Sequence, residues 1–207
     1  MNLKTTWTLV LFIGILGGCG AAHPSEYYHL TVPGSPRATA NQNAYPVTLV
    51  LGRVTSPNLY RQDHVVWSSD GQSMGVYQYQ RWVESPTEML ADGLLREFRD
   101  SESYQGVYPE GSNMHGDYLL RVHLYDFEEI SQRPLVARVS FDGELREMKS
   151  GTIVWTHYYT HDEPVSRKAV SAVAAAMDRN VQMGVSECKA SLDHYFSTHS
   201  PADSVAR

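Results

Sequence analysis

The segment "PLVARVSFDGELREM", residues 134 to 148, constrains the fold more than any other part of the chain. Leu135, Ala137, Val139, Phe141 and Leu145 fall on one side of an extended backbone, and Arg138, Ser140, Asp142, Glu144 and Arg146 on the other. Period two belongs to a strand; on a helix the same residues would scatter around the axis. Asp142-Gly143 is a good hairpin dipeptide. The alternation runs through it unbroken, so we place it inside the strand and put the turn at Lys149-Ser150-Gly151. A strand this long needs a partner on its edge and cover on its apolar face. "TIVWTHYYTH", 152 to 161, supplies the partner. The cover is a helical stripe through Val170, Val173, Met177, Val181, Val185, Cys188, Leu192 and Tyr195, running from about Pro164 to Phe196. Alanines at 172, 174, 175 and 176 permit close packing on a sheet.

The rest of the chain follows the same logic. "EYYHLTVPG" (26–34), "VTLVLGRVTS" (47–56), "DHVVWSS" (63–69) and "MGVYQYQRW" (74–82) predict four strands. Between the first two lies a polar, turn-rich loop at 35–46. In "SPTEMLADGLLREFRDS", Ser85 is the N-cap, Pro86 takes the first helical position and Glu88 completes a capping box. Leu90, Leu94 and Phe98 keep helical spacing, which predicts a helix over 86–100. "YQGVYPEG" is a short strand and turn. "DYLLRVHLYDFEEI" (117–130) sets Leu120, Val122 and Leu124 against Arg121 and His123. The order is β-β-β-β-α-β-β-β-β-α. We expect an α/β fold, a single mixed, largely antiparallel sheet flanked by two main helices.

The two cysteines divide the chain's fate. "MNLKTTWTLVLFIGILGG" has a basic residue, Lys4, a short apolar run and small residues just before Cys19. That is the layout of a secretory signal peptide, and the run is too short for a comfortable membrane span. Leu16, Gly17, Gly18 and Cys19 together resemble a bacterial lipobox, in which cleavage precedes the cysteine and its thiol carries lipid. We therefore expect residues 1–18 to be removed, 19–197 to form one periplasmic domain anchored through Cys19, and 198–207 to be a flexible tail. Once Cys19 is lipidated, Cys188 has no partner within the chain and a disulfide scaffold is excluded, whereas an unlipidated exported chain could join the two. An Asp after the cysteine would mark inner-membrane retention in enteric-type sorting; Gly20 favours the outer membrane. The formal charge of −6 is the opposite of a basic nucleic-acid surface.

The search for chemistry yields no recognisable constellation. There is no nucleophile elbow, phosphate loop, dinucleotide fingerprint or C-x-x-C pair. His157 and His161 share one side of a strand, with His123 on a candidate neighbouring strand, but surface-strand histidines are the commoner case. Glu128, Glu129, Asp142, Glu144 and Glu147 read as the solvated face of amphipathic strands rather than an acid–base pair. Cys188 lies on an apolar stripe and reads as a small hydrophobe. Trp82 is expected to be a core anchor at the start of the first helix. We assign no catalytic residue, metal or cofactor, and no partner-binding residue. Strand tyrosines and tryptophans are the composition of contact surfaces, which suggests a partner or a homo-oligomer.

Four stretches resemble the ABC-type transport auxiliary lipoproteins. These are Cys19 followed closely by "EYYHLT"; "NLYRQDHVV"; "QRWVESPTEMLADGLLREF"; and "GDYLLRVHLYDFEEI" followed by "SGTIVW" and the alanine-rich last helix. Leu59, Arg61, Arg81, Trp82 and Glu84 match the family's pattern, whereas Tyr60 and Gln62 stand where it has Asp and Pro. The resemblance implies an α/β sheet with flanking helices and a role rather than an activity. Such a protein would be a non-enzymatic, lipid-anchored periplasmic subunit beside an MCE-domain protein and an ABC permease and ATPase. Those systems move phospholipids or other hydrophobic molecules between the inner and outer membranes. The alternatives are an envelope lipoprotein that recruits outer-membrane or cell-wall assembly machinery, and a lipid-anchored hydrolase using the His157/His161 side of the sheet.

Overall fold

A computed structural model describes residues 23–31 and 45–199. Eight strands form one sheet: β1 (Glu26–Tyr28), β2 (Tyr45–Leu51), β3 (His64–Ser68), β4 (Met74–Trp82), β5 (Tyr104–Pro109), β6 (Tyr118–Ile130), β7 (Val136–Glu147) and β8 (Ile153–Pro164). Helix α1 spans Pro86–Asp100 and α2 spans Val170–Thr198; a 3-10 turn covers Asn58–Arg61. The element order is the one the periodicities predict, and the sheet is mixed.

Strand β6 is the spine. One edge pairs with β7 along its whole length, antiparallel, and β7 pairs with β8 the same way. The other edge is shared. β2 pairs in parallel with its beginning at Leu119 and Leu120, Thr55 bridges His123, and β3 pairs in parallel with Glu129 and Ile130. From there the sheet forks, β2 to β5 in parallel, and β3 to β4 and then β1. The antiparallel ladders are the long ones.

Asp142 and Gly143 lie within β7, opposite Tyr158 and His157, and the chain turns at 148–150. A Cβ on Gly143 would stand 3.2 Å from the Trp155 ring, so the glycine answers to packing rather than to a turn. Ala137, Val139, Phe141 and Leu145 are fully buried, beneath α2. Helix α1 lies against α2 and β5. Its N-terminus carries the expected capping box: Ser85 accepts from the Glu88 amide, and the Glu88 carboxylate accepts from the Ser85 backbone at 3.1 Å. On α2, a Cβ at Gly184 would meet Tyr159 and Phe141 at 2.7 and 2.8 Å, which fixes how closely the helix sits on the sheet. At its far end Tyr45, Tyr104 and Tyr118 close on Phe196.

Several boundaries move. β1 ends at Tyr28, short of the expected Gly34, and β2 covers 45–51, with Thr55 beyond it joined to β6 by an isolated bridge. β8 runs on to Pro164, and α2 begins at Val170 rather than near Pro164; it continues through Thr198. Phe196, not Tyr195, fills the last core position of the stripe. A register shift between Leu124 and Asp126 interrupts the alternation of β6. It brings Phe127 into the core and leaves residues 127–130 buried in succession.

Candidate functional site

The two segments that carry the motif residues meet at the junction of β3, β4 and β6. His64 of β3 pairs with Arg81 of β4. The Arg81 guanidinium donates to both carboxylate oxygens of Asp63, at 2.8 and 3.0 Å, and the Trp82 amide donates to the Asp63 carbonyl at 2.6 Å. Both bonds come from Nη1, so one nitrogen of the partly exposed pair bridges the two carboxylate oxygens. Trp82 then enters the core, 1% exposed, edge-on to Phe127 with ring centres 5.4 Å apart. Its indole nitrogen is buried and has no hydrogen-bond partner among the described residues, so the ring is held for its volume.

Two glutamates expected on a solvated face are instead buried at this junction. Glu128 is 2% and Glu129 3% exposed. The register shift in β6 and the pairing of β3 with its end cover them. Each is engaged by a tyrosine: the Tyr60 hydroxyl donates to Glu128 at 3.2 Å and the Tyr77 hydroxyl to Glu129 at 2.8 Å. Ser131 donates a further 2.6 Å bond to Glu129. Burial pushes the Glu128 carboxyl up, with Asp126 adding to the shift and the Tyr60 hydrogen bond opposing it. Burial, reinforced by these glutamates, raises both tyrosine hydroxyls well above their ordinary range, so they stay protonated donors. The arrangement ties β6 to the 3-10 turn through Tyr60 and to β4 through Tyr77. It aligns no nucleophile with a base.

The face of the sheet away from α2 carries a polar groove of about 460 Å³ between β2, β6 and β7. Arg53, Arg121, His123, Tyr125, Asp142 and Glu144 line it. His123 Nδ1 lies 2.8 Å from the Thr55 hydroxyl, and Tyr125 donates to Asp142 at 2.8 Å. The Tyr125 ring is 42% exposed and stands 6.1 Å from the still more exposed Tyr158.

The histidines do not converge. His123 pairs with Asp142, which pairs with Tyr158, placing His123 on the groove face two strands from β8. His157 alternates with Tyr158 onto the α2 side, where its Nε2 lies 3.4 Å from Glu187, and His161 lies 3.4 Å from Glu163. Among the described residues no group of histidine, cysteine and carboxylate side chains could hold a metal ion. Cys188 is on the buried side of α2 and fully enclosed, and burial pushes its thiol up to about 12. Asp142 and Glu144 line the groove, as their solvated reading requires. Cys19, the signal segment and residues 200–207 lie outside the described residues. No helix among the described residues is long and apolar enough to cross a membrane.

Residues 28–187 match the family model of the ABC-type transport auxiliary lipoprotein component. Among curated proteins, none matches the chain. Among solved structures, protein XCC0632 from Xanthomonas campestris is similar at 22% identity and a TM-score of 0.71, over 79% of this chain and 91% of that one. Protein CT253 from Chlamydia trachomatis is similar at 6% identity and a TM-score of 0.53, over 74% of this chain and 99% of that one. These two likenesses establish the fold.

Proposed function

Because this chain belongs to the family of ABC-type transport auxiliary lipoprotein components, we propose that it is a non-enzymatic, lipid-anchored periplasmic subunit of an ABC/MCE-type assembly. The assembly moves phospholipids or other hydrophobic molecules between the inner and outer membranes, and this chain works beside an MCE-domain protein, a permease and an ATPase. The single observation that carries the reading is the extent of the family match, from β1 to within α2. The polar chemistry at the motif junction supports it, since Asp63, Arg81, Glu128 and Glu129 are engaged in holding strands together. Lipid on Cys19 gives the anchor, and Gly20 favours the outer membrane. Two or three acyl chains make a stable anchor where one would not.

The test is a crosslinked pull-down of the tagged full-length protein from membranes, with Cys19→Ala as control. Recovery of an MCE-domain protein and its permease is the expected result. Recovery of outer-membrane or cell-wall assembly proteins alone would replace this reading with one of envelope recruitment.

A further inference from the structure

The longest open strand edge in the described structure belongs to β8. Eleven of its twelve residues pair with β7 on one side, Val154 being passed over by a register shift, and no described strand pairs with the other. Soluble proteins blunt such an edge with charge, proline, a bulge or brevity. Between Trp155 and His161 none of these is present; a register shift against β7 at Val154 marks one end of that stretch, and Asp162, Glu163 and Pro164 the other. The interior strand β7 carries Arg138, Asp142, Glu144, Arg146 and Glu147, while residues 153–161 of β8 hold no Lys, Arg, Asp or Glu at all. The only proline is the last residue, Pro164. The flank is also apolar: Ile153 is 47%, Tyr158 59% and Met183 41% exposed. Met183 belongs to this edge because its helical neighbours do. Arg179 binds Glu163 at 2.8 Å and Glu187 stands 3.4 Å from His157.

We propose that this edge receives β8 of a second copy of the chain, antiparallel, about a two-fold axis at His157. The register follows from charge. Centred there, the neutral stretch covers itself: Trp155 meets Tyr159 of the second copy and Thr156 meets Tyr158. No like charges oppose one another. A two-fold axis perpendicular to the sheet keeps both α2 helices on one face and brings the Met183 flanks toward each other. The pairing continues the sheet, satisfies the open backbone groups and covers the exposed apolar flank.

The full-length protein in density-matched detergent micelles, measured by sedimentation equilibrium, tests this. The wild type is expected to dimerise. Thr156→Lys with Tyr158→Lys places lysines opposite one another twice and is expected to raise the dissociation constant by roughly tenfold or more. Thr156→Lys with Tyr158→Glu makes the same two pairs attractive and is expected to restore the dimer. Both positions are exposed, and a thermal melt of each variant checks that the fold is retained. His157→Cys is expected to crosslink to its own copy under mild oxidation in membranes, since directly opposed strand residues lie within disulfide reach. A monomeric wild type, a dimer indifferent to the lysine pair, or a lysine–glutamate variant no better than the lysine pair would each overturn the proposal.

Discussion

Trp82 shows how one residue's chemistry and its setting combine. The ring sits between the ion-paired strand junction and Phe127, 1% exposed, and its nitrogen is unpartnered. Removing it deletes volume and no hydrogen bond. Trp82→Ala is expected to cost ~3–5 kcal/mol in urea denaturation, with Trp82→Phe costing clearly less. Cys188 offers a second test. Its thiol is pushed up to about 12, because burial, with Glu187 adding to the effect, disfavours the thiolate. From the ordinary thiol range up to about 12, the folded chain keeps a proton that the unfolded chain has lost. This group's contribution to stability is therefore complete below that window and falls as pH rises through it. At pH 8 the native protein is expected to leave a thiol reagent unreacted at this position, and the urea-unfolded protein to react at once. Fast labelling of the native state would show that α2 opens there.

At the scale of elements, the attachment of α2 rests on a residue that no periodicity reveals. Asn180 is 0% exposed in the middle of the helix. Its amide nitrogen donates to the carbonyls of Ala137 and His161 at 2.9 and 2.8 Å, and its oxygen accepts from Tyr159 at 2.6 Å. One side chain thus ties the helix to β7 and β8. Asn180→Ala leaves buried groups without partners and is expected to cost about 1–3 kcal/mol in denaturant melts. A near-neutral result would mean that water replaces the amide. The elements themselves are legible locally: alternation through β7, the capping box of α1 and the stripe of α2 each fall within one stretch of chain. The β6 register shift is not legible in this way, because an extra residue in a strand is recognised only against its partner. For that reason Glu128 and Glu129 both reach the interior, although residues 118–125 of the same strand alternate between core and surface.

At the scale of the whole molecule, the described body and the proposed anchor occupy different parts of the chain. The described residues make one forked sheet under two helices, with no helix that could cross a membrane. In the proposed function, membrane attachment resides in Cys19. Cys19→Ala is expected to move the protein out of the membrane fraction and to remove the mass of its acyl chains from the intact-mass spectrum. Retention in the membrane without added lipid mass would place the anchor elsewhere. The sequence by itself determined which stretches are strand and helix, their order and the capping of α1, because those depend on the period of apolar residues and on hydrogen bonds within a few positions. It also determined the family, because short motifs in a fixed order survive without knowledge of contacts. Only the tertiary structure decided that β2 and β3 share one edge of β6, that Asp63 holds Arg81, that Glu128 and Glu129 are buried against tyrosines, and that β8 is left open. Each of these joins residues far apart in the chain, and pairing between distant segments is settled by the closing of the sheet and not by any local pattern.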